Sequence, residues 1–142
     1  MNKIITHNLE ETERVAREFA QKLQAGDVVA LIGDLGSGKT TFTQFVAREM
    51  GAIAIVNSPT FLIQKEYRLK NERGIEMLYH LDLYRLENER QVEEVGLKEI
   101  LLDEKGITFI EWPEKADAFM PKDSYKIIFA HVDDTTREIE IT

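Results

Sequence analysis

The stretch Gly33-Asp34-Leu35-Gly36-Ser37-Gly38-Lys39-Thr40 constrains this chain more than any other. It follows the apolar run Val28 to Ile32 and precedes a segment of helical periodicity, which is the strand-loop-helix context that G-x-x-x-x-G-K-[ST] requires. Glycines at 33, 36 and 38 let the backbone turn and bring its N–H groups against phosphate oxygens without interference from a Cβ. The helix that starts near Gly38 adds the positive end of its dipole. Lys39 supplies a point charge for the β- and γ-phosphates, and the Thr40 hydroxyl is placed to ligate Mg²⁺. The expectation is a nucleoside-triphosphate site.

The rest of the chain reads as one domain over residues 1–142, an α/β P-loop domain with a mixed central sheet flanked by helices and antiparallel hairpins. Asn8 followed by Glu11 has the form of a capping box, and Leu9, Thr12, Ala16, Phe19, Ala20 and Leu23 recur at helical spacing until Gly26. Val28 to Ile32 reads as a buried central strand; Phe42, Phe45, Val46 and Met50 carry a helix to Gly51. Ile53 to Val56 reads as a second buried strand that runs into the loop Asn57 to Phe61. Leu62 to Leu69 and Ile75 to Leu83 suggest an antiparallel hairpin, which a purely alternating βαβ fold would not contain. The acidic stretch Glu87 to Glu94 reads as a solvated surface helix, with a partner surface as the alternative, and its apolar face, Val92 and Val95, is extended by Leu97, Ile100 and Leu101. Ile107 to Ile110 is a further buried strand, Glu114 to Phe119 a short helix, and Tyr125 to Val132 with Arg137 to Ile141 a terminal hairpin.

A P-loop ATPase needs another acid at a neighbouring strand end. Glu111, closing the strand Ile107 to Ile110, has the context of a Walker B acid, and Asp82 stands at the end of the second hairpin strand. One of them would orient Mg²⁺ and the other the attacking water. His80 reads more readily as a half-buried histidine than as a ligand. Trp112 is expected near the nucleotide because it follows Glu111, and Thr60 is either a switch threonine near the γ-phosphate or part of an ordinary Ser-Pro-Thr turn, between which spacing does not decide.

Composition narrows the partners. The absence of cysteine excludes disulfides and thiolate metal sites, leaving a hard ion on oxygen ligands. A net charge of -8 argues against this chain gripping a nucleic acid backbone by itself. No segment reaches the apolar length of a membrane span, and the first residues lack the apolar core of a signal peptide, so a cytoplasmic location without membrane contact is expected.

Together Gly33 to Thr41, Ser58-Pro59-Thr60-Phe61, His80-Leu81-Asp82-Leu83-Tyr84-Arg85 and Glu111-Trp112-Pro113 resemble, in order and approximate spacing, the bacterial TsaE family, also called YjeE. Ser37 departs from the alanine usual there. The resemblance implies an accessory ATPase of the system that installs threonylcarbamoyl on the adenosine beside the anticodon of certain tRNAs. The implied partners are TsaD, the transferase, and its inactive paralogue TsaB, with tRNA reached only through them. It also implies that Lys39 and the loop amides bind ATP or ADP phosphates, that Thr40 and Glu111 serve Mg²⁺, and that Asp82 is a further acid needed for activity. Thr60 becomes the switch threonine, and the adenine lies by Leu9, Thr12 and Arg137. Two alternatives stay open: a nucleotide-dependent scaffold whose hydrolysis is incidental, and a small-molecule kinase, against which the lack of an Arg-rich lid counts.

Overall fold

The computed structural model describes residues 2–57, 64–94 and 96–142. Among these, eight strands form one mixed sheet. They are β1 (Asn2–Thr6), β2 (Val28–Ile32), β3 (Ala52–Asn57), β4 (Gln64–Leu69), β5 (Met77–Asp82), β6 (Gly106–Glu111), β7 (Tyr125–His131) and β8 (Arg137–Ile141). Their order is β1-β8-β7-β2-β6-β5-β4-β3. The middle four, β7, β2, β6 and β5, are parallel, and an antiparallel pair closes each side. Continuous apolar sequence suits the middle position: β6 is buried along its whole length and β2 through its first four residues.

Strand alternation divides the core in two. Val29, Leu31, Ile107 and Phe109 point to one face, where α1 (Leu9–Lys22) and α2 (Lys39–Glu49) cover them with Phe19, Ala20, Phe42 and Val46. Val28 and Ile110 point to the other face. There α3 (Glu89–Glu94), α4 (Leu97–Leu101) and the 3-10 helix Pro113–Phe119 pack with Val92, Leu97 and Ala116. Both covering helices of the first face enter the sheet edge near the C-terminal end of β2, which is where an open α/β sheet places its ligand crevice.

Several expectations change. Ile53 and Ile55 are 63% and 59% exposed, because β3 pairs only with β4 and forms the sheet edge rather than a buried strand. The capping box forms differently: Asn8 Oδ1 accepts from Glu11 N–H at 2.9 Å, while Glu11 Oε1 accepts from the N–H of His7 rather than that of Asn8. The acidic segment is two short helices broken at Gly96, and Val92 and Leu97 are fully buried, so only its polar face is solvated. Val95 lies outside the described residues, as does the loop Ser58 to Phe61 with its candidate Thr60. The helix after Trp112 is 3-10, with non-helical backbone at Ala116. No helix among the described residues is long and apolar enough to cross a membrane.

Candidate functional site

The turn between β2 and α2 builds one wall of a cavity of about 800 Å³. Leu35 through Thr41 line it, facing Asp82 and Glu111 on one side. On the other side lie Asn8, Leu9, Glu10 and Thr12 at the start of α1, with Asp134, Thr135 and Arg137 of the β7–β8 hairpin. Gly33 sits beneath this wall. A Cβ there would stand 2.7 Å from both the Phe129 carbonyl oxygen and Ser37 Oγ, so only glycine lets the loop fold this tightly. Gly38, at φ 107, forms the N-cap of α2, and the first intrahelical bond runs from Phe42 N–H to its carbonyl. The amides of Lys39, Thr40 and Thr41 therefore lack intrahelical acceptors, and all three residues line the cavity.

Two features test whether a phosphate chain fits. The Ser37 hydroxyl is buried without a partner among the described residues, and it stands in the wall of the cavity, which suits a phosphate oxygen as acceptor. The cradle under it is closed by Gly33 rather than filled by a side chain. Phosphate also agrees with the charge of Lys39, whose Nζ donates to the Gly33 carbonyl and lies 4.4 Å above the ring of Trp112.

The acids meet through strand register. β5 and β6 run parallel with Asp82 beside Glu111 and His80 beside Phe109. Residues two apart share a face, so His80 and Glu111 project to the same side of the sheet as α2. Glu111 Oε2 consequently accepts from Thr40 Oγ1 at 2.9 Å and from His80 Nε2 at 2.5 Å. Burial, the largest single influence, pushes the Glu111 carboxyl upward, but the hydrogen bond and charge of His80, the Thr40 hydroxyl and Lys39 hold it below the ordinary carboxylate value. An ionised Glu111 that accepts the Thr40 O–H as a hydrogen bond leaves the threonine oxygen lone pairs free for a cation. Asp82 is half-buried and its Oδ1 accepts from Tyr84 N–H at 3.0 Å, capping the strand end while still lining the cavity. Among the described residues no group of three or more His, Asp or Glu side chains forms a metal cage. The donor set matches a small hard ion that keeps waters and phosphate oxygens beside one or two carboxylates.

The structure thus brings together Leu35 to Thr41, Asp82, Glu111, Leu9, Thr12 and Arg137 on one cavity, with Gly33 and Asp34 at the base of the loop. Leu9, expected on the core face of its helix, is 66% exposed and faces the cavity mouth instead. Arg137 Nε lies 3.8 Å from where a Cβ on Gly38 would be, so its guanidinium is next to the phosphate loop as well as the hairpin. Trp112 does not line the cavity; it backs Lys39 from the side and carries Tyr84 at a centroid distance of 4.9 Å. His80, expected as a half-buried histidine rather than a ligand, is buried at 6% exposure and bonded to Glu111. Asn8, Glu10, Asp134 and Thr135 were also missed, and only their position at element ends signals them.

Comparison with known proteins places the chain in a family. The family model described as "Threonylcarbamoyl adenosine biosynthesis protein TsaE" matches residues 6–139. A protein of Bacillus subtilis (strain 168) named tRNA threonylcarbamoyladenosine biosynthesis protein TsaE is 42% identical over 137 residues, covering 96% of this chain and 82% of its own. One of the same name from Rickettsia bellii (strain RML369-C) is 33% identical over 142 residues, covering 99% and 94%. A solved structure described as "Crystal structure of Bacillus subtilus YdiB" aligns with a TM-score of 0.74 at 35% identity, covering 97% of this chain and 82% of that one.

Proposed function

The chain belongs to the TsaE family, and from that premise we propose that it is a Mg²⁺-dependent ATPase serving tRNA threonylcarbamoyladenosine biosynthesis. In this reading residues 1–142 form one P-loop ATPase domain that works in the cytoplasm. It hydrolyses ATP to ADP and phosphate and thereby supports cycling of a TsaD-like transferase with its TsaB-like paralogue. The tRNA is reached only through that complex, in keeping with a net charge of -8 on this chain.

The observation that carries the reading is the single cavity shared by the phosphate loop, Asp82 and Glu111. The amides opening α2, Lys39 and the Ser37 hydroxyl bind the phosphates, and Thr40 with Glu111, and Asp82 beside them, would hold Mg²⁺. The bound ion supplies charge neutralisation along the phosphate chain. Asp82 and Glu111, adjacent in register, divide the remaining work: one keeps its carboxylate on the cation side and the other orients the attacking water. Thr60, outside the described residues, would complete the set as a switch residue reporting the γ-phosphate.

The deciding experiment measures ATP turnover by the purified protein alone and with a TsaD–TsaB complex, following complex formation in parallel. Slow turnover alone and a large rise with the pair are expected. Failure to bind the pair, with an unchanged rate, would remove the proposed role.

A further inference from the structure

Trp112 stands outside the cavity, yet its indole meets the lysine of the phosphate loop. Lys39, 4% exposed, lines the cavity, and its ammonium donates to the Gly33 carbonyl. Among the described residues no carboxylate stands at ion-pair distance from it. What meets its charge instead is the face of Trp112, with 4.4 Å from Nζ to the ring centroid. A carboxylate in that place would cancel the charge that phosphates need. An aromatic ring attracts a cation through its quadrupole and carries no net charge, so it anchors the ammonium without neutralising it.

The backbone is bent to make this contact. Glu111 projects to the α2 face of the sheet, so an extended continuation of β6 would carry the next side chain squarely to the other face. The chain turns at Trp112 instead, with left-handed backbone at φ 58 and ψ 54, and this is the only non-glycine residue with positive φ among the described residues. A residue with a Cβ keeps that conformation only where its surroundings hold it there. Tyr84 supplies part of the hold. Its ring packs on the indole with centroids 4.9 Å apart and planes tilted by 45°, and its own N–H donates to Asp82 Oδ1 at 3.0 Å. The usual anchor of a buried indole, a hydrogen bond from Nε1–H, has no acceptor among the described residues. The ring is placed for its face rather than for its N–H.

We infer that Trp112 is a positioning residue for Lys39, whose ring face fixes the ammonium at the cavity wall so that it meets the phosphates without rearrangement. The inference rests on the nucleotide-binding reading above and deepens it, since Trp112 acts through Lys39 and not by touching the nucleotide. A charge fixed in advance contributes most where charge develops during the reaction, so losing the ring lowers turnover more than ATP affinity. The strength of the anchor follows the electron-rich face: greatest for tryptophan, smaller for phenylalanine, and lost with an aliphatic side chain.

The experiment compares the full chain with Trp112→Phe and Trp112→Leu. Both replacements are unbranched at Cβ and carry the same left-handed backbone strain, but only one keeps a π face. NMR of the nucleotide-free protein reads the Lys39 Hε protons, which lie over the ring and are expected upfield in the wild type, less so with phenylalanine and not at all with leucine. Turnover with the partner pair added is expected to fall about tenfold in Trp112→Leu, with a smaller loss of calorimetric ATP affinity, and to be largely kept in Trp112→Phe. A merely structural role would make the loss follow melting temperature instead of the aromatic face. Lys39 Hε protons at their ordinary position in the wild type, a result that needs no variant to fold, overturn the inference, as does equal turnover in the two variants; ATP binding survives either result. A wild type that binds no ATP overturns the functional reading itself, whatever the Lys39 protons show.

Discussion

His80 Nε2 stands 2.5 Å from Glu111 Oε2, with both side chains 6% exposed, so the buried acid beside the phosphate loop is held by a histidine from the neighbouring strand. Removing that donor leaves a buried carboxylate with one partner fewer. His80→Ala is expected to cost about 1–3 kcal/mol of stability and to lower ATP turnover more than ATP affinity, because Glu111 loses its orientation. Thermal unfolding together with separate kcat and KM values checks this; a variant with unchanged kcat would show that the pair is structural only.

The pH dependence has a definite sign. The Glu111 carboxyl is held below its usual 4.5 in the folded chain, so the ionised group stabilises the fold above that value. This contribution fades as pH falls through the lower folded value. The stability difference between wild type and Glu111→Gln, from urea titrations, should therefore be constant near neutrality and shift against the wild type below about pH 4.5. A difference that stays flat across the acid range would contradict the assignment.

Lys39→Ala removes the cation at the phosphate cradle. ATP affinity should fall and turnover should drop by about 10²-fold or more, measured by calorimetry and phosphate release. Equal affinity and turnover in this variant would place the nucleotide elsewhere.

Gly33→Ala inserts a methyl group 2.7 Å from the Phe129 carbonyl and from Ser37 Oγ. The loop must shift to admit it, at about 1–3 kcal/mol, and ATP binding should weaken by at least tenfold. Calorimetry and a melting curve report both effects; a variant that binds ATP normally would mean that the loop is more accommodating than its packing implies.

The turn between β4 and β5 holds the far ends of both helices that enter the site. Arg73 Nη1 donates to Ala20 and Leu23 carbonyls at 2.9 and 3.0 Å, and Asn71 Nδ2 donates to Met50 at 2.9 Å. Arg73→Ala takes the side-chain donor from the Leu23 carbonyl and leaves the Ala20 carbonyl only the N–H of Leu23, and should lower stability by about 1–3 kcal/mol. Its ATP affinity, read by calorimetry on the folded protein, should match the wild type, since the turn lies outside the cavity.

Local signals made part of this architecture legible. The strand-loop-helix around Lys39 was readable because each property it needs, an apolar run, glycines and a helix start, lies within a short stretch of chain. Glu111 was readable for the same reason, as the polar end of a fully buried strand. Position within the sheet was not. Ile53 to Val56 is as apolar as a central strand, yet it pairs on one side only, and no local pattern reveals how many neighbours a strand acquires. Leu9 fits the helical period of its neighbours but falls at the helix start, past the reach of the sheet, where it meets the cavity mouth.

Sequence alone determined the phosphate loop, the two acids, most of the strands and helices, and the resemblance to a family. These rest on backbone preference, burial periodicity and short-range spacing, which are properties of neighbouring residues. Tertiary structure decided which side chains touch. The parallel register of β5 on β6 carries His80 to Glu111 across 31 residues, and packing the start of α1 over β1 sets Thr12 against Thr6. Such contacts depend on strand order and on the angle at which a helix crosses the sheet, both set by burying the whole core at once rather than by any one segment.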